Sequence, residues 1–312
     1  IENNEANRRA YRDLLFRTTG FGKYISGVIM FDETFNQKAV GGRTKMTELI
    51  QKAKSLPGIK VDCGAKPLSN FPGETITEGL DNLPARMKAY AENGATFAKW
   101  RAVIDINTSA NIPSQYAINA NAAALARYAA ICQEYGIVPI VEPEVLMDGD
   151  HSIDVCYQVT EQSLYALFSA LYEAKVDLEG IVLKPNMVIS GKKNKNRASA
   201  EQVAEQTVKC LKAAVPSSVQ TIAFLSGGQS DVEATEHLHL INAGNKLPWN
   251  VTYSYGRALQ AAAISTWGGK QDNVKAAQAV LLHRAKMNTL AAQGKWSAAL
   301  EADGQSTVKL AA

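Results

Sequence analysis

Seven times along the chain a short, β-branched, apolar run closes on a polar residue, and each run is separated from the next by a longer stretch of helical character. The runs lie near 27–31, 58–62, 97–101, 137–142, 180–184, 221–225 and 250–255. Between them, segments such as 117–135, 160–173, 199–215 and 231–243 read as helices, the first stopped by Gly136. A strand that is apolar at consecutive positions is buried on both faces. Strand and helix in alternation therefore predict an α/β fold, a parallel sheet covered by helices. Seven βα units are one short of a closed (β/α)8 TIM barrel. The chain opens Ile1-Glu2-Asn3 rather than on methionine. The expected architecture is thus that barrel lacking its first strand, with the missing strand upstream of Ile1.

The 312 residues are 46% hydrophobic, enough for a large core. No internal repeat or Pro/Gly/Ser linker divides them, so one domain over 1–312 is expected, with the small, polar stretch 297–312 as a mobile tail. Basic and acidic residues nearly balance at 33 against 30, which argues against nucleic acid or a membrane surface as a partner. The longest apolar stretches are about six residues, far below the roughly 20 that span a bilayer. Cys63, Cys132, Cys156 and Cys210 are scattered with no CxxC pair, as expected of reduced buried thiols in a cytosol-like compartment. Sequons at Asn107 and Asn250 have no signal peptide before them and read as chance matches.

Active sites of parallel barrels form at the strand C-termini. The residues closing the runs are Lys60 and Asp62, Lys99 and Arg101, Glu142 and Glu144, Lys184, Ser226, and Ser254 with Arg257. On a strand, Lys99 and Arg101 share a face, as do Lys60 and Asp62. Inward-facing lysines at three strand ends are costly to bury without function. Crowding them is also how an amine becomes a nucleophile, because a neighbouring cation and low dielectric lower its pKa. The bland alternative, rim lysines whose stems cover apolar surface, suits one lysine better than three beside Glu142.

The Ser226-Gly227-Gly228 turn and Ser254-Tyr255-Gly256-Arg257 follow adjacent runs, and their backbone N–H groups and guanidinium suit a phosphate. With one strand upstream, these would be the loops after strands seven and eight, where barrels place phosphate. The histidines speak against a metal centre: there are four, and His237 and His239, two apart on a helix, point away from each other. The basic run 191–197 reads as a solvated loop without a role.

Leu183-Lys184-Pro185-Asn186-Met187-Val188 resembles the Schiff-base signature of class I fructose-1,6-bisphosphate aldolases. The stretches 58–62, 97–101, 138–144, 148–151, 224–229 and 254–260 resemble family segments in the same order, so the likeness runs from about residue 7 to about 294. The resemblance implies reversible cleavage of fructose 1,6-bisphosphate to dihydroxyacetone phosphate and glyceraldehyde 3-phosphate, in glycolysis, gluconeogenesis or the Calvin cycle, with no metal or cofactor. By its pattern Lys184 forms the imine, Glu142 is the general acid/base, and Lys99 keeps Lys184 nucleophilic. Ser226, Gly227, Gly228, Ser254, Gly256 and Arg257 hold phosphate, and Lys60, Arg101 and Glu144 support the charge network. Arg8 matches a position assigned to substrate. A homotetramer, contact with cytoskeleton, and a cytoplasmic location, alternatively a plastid, are implied in the same way.

Two departures stand out. The family's first strand ends in an Ala-Asp-Glu-Ser-like motif supplying a base and is followed by a phosphate-binding arginine, and its tail ends in a tyrosine. None of these lies within the 312 residues; Phe31-Asp32-Glu33-Thr34 matches the second strand instead. Two other readings compete. One is another imine-forming barrel of transaldolase or deoxyribose-phosphate aldolase type, distinguished by activity on a monophosphate. The other is a binding scaffold with a decayed site, which intact Lys184, Glu142 and Lys99 argue against.

Overall fold

The computed structural model describes residues 1–302. All seven expected runs become strands of one parallel sheet. In chain order the strands are β1 (Gly27–Met30), β2 (Leu56–Lys60), β3 (Ala65–Pro67), β4 (Thr75–Thr77), β5 (Phe97–Ile104), β6 (Val138–Val145), β7 (Val182–Leu183), β8 (Thr221–Phe224) and β9 (Asn250–Tyr253). The sheet order is β1-β2-β5-β6-β7-β8-β9, every neighbouring pair parallel. β3 and β4 form a separate antiparallel hairpin that the run pattern did not announce, since its two three-residue strands mix polar with apolar residues, β3 exposed and β4 partly buried.

The helices are α1 (Glu5–Phe16), α2 (Asp32–Asn36), α3 (Met46–Lys52), α4 (Leu83–Glu92), α5 (Gln115–Glu134), α6 (Ile153–Glu173), α7 (Ala200–Ala214), α8 (Asp231–Asn242), α9 (Arg257–Trp267) and α10 (Val274–Ala292). α6 starts earlier than the apolar pattern indicates because Ser152 caps it, accepting from the Val155 N–H. None of the helices among the described residues is long and apolar enough to cross a membrane. Asp32-Glu33-Thr34 sits in the first turn of α2, where Asp32 accepts from the Tyr90 hydroxyl at 2.7 Å.

Alternation along β5 separates the two sides of the sheet. Ala98, Trp100 and Ala102 are buried, and Trp100 packs its ring 5.6 Å from that of Tyr128 on α5. The intervening Lys99 and Arg101 point to the inner side with the ion pairs described below. At the other end of the same strand, Phe97 fills the space left by glycine: a Cβ on Gly58 would lie 2.2 Å from its ring. One apolar cluster runs from Leu14 to Trp296.

Two expectations need correction. The stretch expected as a mobile tail is partly packed down: 298–302 is helical, and Glu301 is buried against α10. Residues 303–312 of that stretch lie outside the described residues. Of the four thiols, Cys132, Cys156 and Cys210 are buried, but Cys63, in the loop after β2, is exposed.

Candidate active site

The strand register brings the expected charges together. Lys60 of β2 pairs directly with Lys99 of β5, and Arg101 of β5 with Glu142 of β6. Lys184 follows the two-residue β7, its N–H held by the Val141 carbonyl at 2.8 Å. Three neighbouring strand ends therefore converge on one carboxylate. Glu142 lies 3.0 Å from Lys184 Nζ through one oxygen and 3.0 Å from Lys99 Nζ through the other.

All three groups are buried. Burial holds the Lys184 amine below the usual lysine range; Glu142 opposes this and Lys99 reinforces it. A lysine so placed loses its proton more readily than a surface lysine, and Glu142 beside it can take or return one.

Around this centre lies a second ring of charge. Lys60 Nζ is 2.5 Å from Asp62, whose other oxygen accepts from the Arg101 N–H at 3.2 Å and stands 3.9 Å from Lys99. Arg101 reaches past Glu142 to pair with Glu144. Asp62 thus ties β2 to β5 from a buried position. Its spacing two residues after Lys60 was the available signal, but only the register showed that it also meets Lys99 and Arg101. The bracing role of Asn186 was not read from the sequence: its carbonyl oxygen accepts from the Val145 N–H at 3.0 Å and its amide donates to Thr160 at 3.0 Å, bracing the end of β6.

The cluster opens into a cleft of about 470 Å³ lined by Lys60, Lys99, Arg101, Lys184, Ser254 and Gly256. Two backbone turns flank the cluster: Ser254 and Gly256 line the cleft, and Gly227 lies beside Glu144, a Cβ on it coming 3.0 Å from the Glu144 Oε1. Ser226, Gly227 and Gly228 follow β8, and their N–H groups donate to nothing else among the described residues. Glycine is required at Gly228, whose φ is +76° and where a Cβ would lie 2.2 Å from Met147 Cγ, and a Cβ on Gly227 would push against the tip of the Met147 side chain at 2.6 Å.

The next turn gives a contrast between two helix starts. α8 is closed by a capping box in which Ser230 and Glu233 serve each other's backbone. α9, which begins at Arg257 after Gly256, has no side-chain cap, leaving its N-terminal donors open to an anion. The Arg257 guanidinium is exposed and makes no ion pair among the described residues.

Arg8 is not brought to this cluster. Its guanidinium pairs with Glu33 at 2.6 Å and also donates to Asn3, in a separate groove with Tyr11 and Trp267. The four histidines stay apart from the cluster; His237 meets Gln229 at 2.7 Å, and His239 packs against Trp296.

A paired lysine and carboxylate, an electropositive wall and two anion-ready turns suit imine chemistry on a phosphorylated carbonyl compound. The relatives agree. A family model described as fructose-bisphosphate aldolase class-I matches residues 1–311. A probable fructose-bisphosphate aldolase class 1 of Xanthomonas campestris pv. campestris is 54% identical over 297 residues, covering 95% of this chain and 88% of that protein. Fructose-bisphosphate aldolase 6, cytosolic, of Arabidopsis thaliana is 51% identical, covering 95% and 82%. A solved structure of fructose-bisphosphate aldolase from Plasmodium falciparum, in complex with TRAP and a small-molecule inhibitor, superposes with a TM-score of 0.93 at 48% identity, covering 95% of this chain and 85% of that one. The matched plant proteins include cytosolic and chloroplastic aldolases. Site geometry and relatives lead to one statement: the chain belongs to the class I fructose-bisphosphate aldolase family, whose reaction is the reversible aldol cleavage of fructose 1,6-bisphosphate.

Proposed function

We propose that Lys184 is the nucleophile of this reaction and Glu142 its proton carrier. The observation that carries the assignment is one buried carboxylate 3.0 Å from each of two lysines, with burial lowering the pKa of one of them. The Lys184 amine adds to the ketose carbonyl. Glu142 protonates the departing hydroxyl of the carbinolamine, and water leaves an iminium. The C3–C4 bond then breaks as the C4 hydroxyl gives its proton to the Glu142 carboxylate left by that dehydration: the electron pair of the C3–C4 bond enters the iminium, giving an enamine and free glyceraldehyde 3-phosphate. Protonation at C3 and hydrolysis release dihydroxyacetone phosphate and restore Lys184.

Lys99 holds the opposite oxygen of Glu142 and keeps Lys184 in its reactive form. Glu144 orients Arg101, which with Lys60 gives the cleft wall its positive charge for the substrate. One phosphate is held by Ser226, Gly227, Gly228, Ser254, Gly256 and Arg257. Arg8 joins the site only if it leaves Glu33 when substrate binds. Borohydride reduction in the presence of dihydroxyacetone phosphate should place a covalent adduct on Lys184, and EDTA should leave turnover unchanged. A protein that turns over the bisphosphate without a trapped adduct at Lys184 would refute the assignment.

The curled sheet reads best as a (β/α)8 barrel short of one strand, forming a single domain over 1–312. β1 and β9 each have one neighbour, and both line the same cleft, which supports an eighth strand between them. Protection of the Gly27–Met30 and Asn250–Tyr253 amides against exchange on both strand edges would mark that closure. The family resemblance further supports a homotetramer, measurable by light scattering, a cytoskeletal contact, measurable by filament cosedimentation, and a cytoplasmic location, with a plastid as the alternative, since the relatives include both cytosolic and chloroplastic aldolases.

A further inference from the structure

Lys192, in the basic run after β7, sits against the glycine turn. That run is not a free loop. Gly191 donates to the His151 carbonyl at 2.9 Å, Lys192 to the Met147 carbonyl at 2.7 Å, and Lys193 to the Gly149 carbonyl at 3.0 Å. The approach at Gly191 is close enough that a Cβ there would lie 2.3 Å from the Gly149 oxygen. Asn194 closes the clamp by donating to the carbonyls of Asp150 and His151.

This fixed backbone aims one cation at the turn. The Lys192 Cε lies 3.0 Å from where a Cβ on Gly228 would stand, so the end of its stem lies beside Gly228. Its Nζ pairs with Asp148 at 2.9 Å, and both partners are well exposed. An exposed pair of this kind is weak and exchangeable. A phosphate carries more charge than a carboxylate and offers more acceptor oxygens to an ammonium.

We propose that Lys192 is a further phosphate-positioning residue, and that Asp148 is the counter-ion which competes with substrate for it. With the cleft empty, Lys192 rests on Asp148. With a phosphate on the N–H groups of Ser226, Gly227 and Gly228, the ammonium swings one bond beyond Cε to the phosphate oxygens and Asp148 is released to water. The inference rests on the aldolase reading of this turn and adds a ligand to it. It also changes the meaning of the basic run: Lys192 faces the site, while Lys193 and Lys195 stay in solvent.

Steady-state kinetics with fructose 1,6-bisphosphate test it through two substitutions that must act in opposite directions. Lys192→Met should raise KM about 3- to 10-fold, the loss of one exposed charge-assisted contact, with kcat changed less than about twofold. Asp148→Asn should lower KM by about twofold or more, because the competing carboxylate is gone. Lys192→Arg should restore most of the affinity, and the effect of Lys192→Met should shrink as salt is raised. A role confined to holding the loop would instead weaken both variants together. An unchanged KM in Lys192→Met, or a KM raised in Asp148→Asn as much as in Lys192→Met, overturns the proposal. Borohydride trapping on the unsubstituted protein separates the two readings: no adduct at Lys184 defeats the aldolase mechanism, whereas an intact adduct with unmoved KM values defeats only the role of Lys192.

Discussion

Two buried ion clusters, built from similar residue types, do opposite things in this molecule. At the strand ends, Lys99 and Lys184 share the single carboxylate of Glu142 beside an open cleft. Against α10, the single carboxylate of Glu301 is shared by Arg284, by His283 at 3.1 Å and by the Trp296 indole at 3.1 Å. Arg284 also donates to Thr235 at 2.6 Å, which in turn donates to Asn288 at 2.6 Å. Both clusters bear the cost of desolvation.

In the second, burial opposes ionisation of Glu301, but the His283 hydrogen bond, the Arg284 charge and Trp296 overcome it and hold the carboxyl down at about 2. In the first, burial is not overcome at Lys184, whose pKa stays low. The difference is geometric. A guanidinium fork and an indole can surround a carboxylate completely, whereas two ammonium groups on one carboxylate leave charge directed at the cleft. Closed, such a cluster docks a chain segment; open, it is free to meet a substrate.

Substitutions should separate the two. Lys184→Met removes the proposed nucleophile and should lower turnover by at least about 10⁴-fold. Its melting temperature should not fall, because Glu142 keeps Lys99 at 3.0 Å. The sign follows from linkage: a lysine whose folded pKa lies below its unfolded value opposes folding in full below the folded pKa, and that penalty fades as pH rises from the folded value to the unfolded one. A melting temperature well below that of the unsubstituted protein would place this cluster with the structural kind.

Glu142→Gln should cost about 10²- to 10⁴-fold in kcat, the range for a lost general acid/base, read as slowed formation of the trapped adduct on Lys184.

Glu301→Gln should act on stability instead. Arg284, 3% exposed, would be left without its buried counter-charge, which costs about 3–5 kcal/mol in chemical denaturation. Its pH dependence is a second check. A carboxyl held at about 2 in the folded chain against 4.5 otherwise contributes stability above about pH 4.5 that is lost as pH falls through about 2, roughly 3 kcal/mol in all. The gap between Glu301→Gln and the unsubstituted protein should narrow over that window, and a gap independent of pH would contradict the ion-pair account. Smallest of all, Thr235→Val removes a neutral hydroxyl from the same cluster and should cost about 1–2 kcal/mol by the same assay.

How much of this was legible beforehand follows the range of the interactions. The seven runs and the polar residues closing them could be read because apolar periodicity is local, and Lys99, Glu142 and Lys184 stood out as charges on otherwise buried strands. β7 has only two ladder residues, yet Val182 and Leu183 placed it, since burial rather than strand length sets the pattern. The β3–β4 hairpin, two three-residue strands of mixed polarity, carries no such pattern. Arg8 shows the limit of resemblance: a matching position said nothing of Glu33, 25 residues away, to which it is bound. The segment after residue 296 reads as polar chain, and Glu301 becomes an anchor only through residues 17 and 18 positions earlier in sequence.

The sequence by itself determined the class of fold and the chemical kind of site, because both are written in residue types at fixed local spacing. Tertiary structure decided which charges share a partner. Register set Lys60 beside Lys99 and let Asp62 join them, and the packing of the loop after β7 turned Lys192 toward the glycine turn. The physical reason is that a pKa or an ion pair depends on distances of a few ångströms between residues far apart in the chain, and those distances come into being only when the sheet forms.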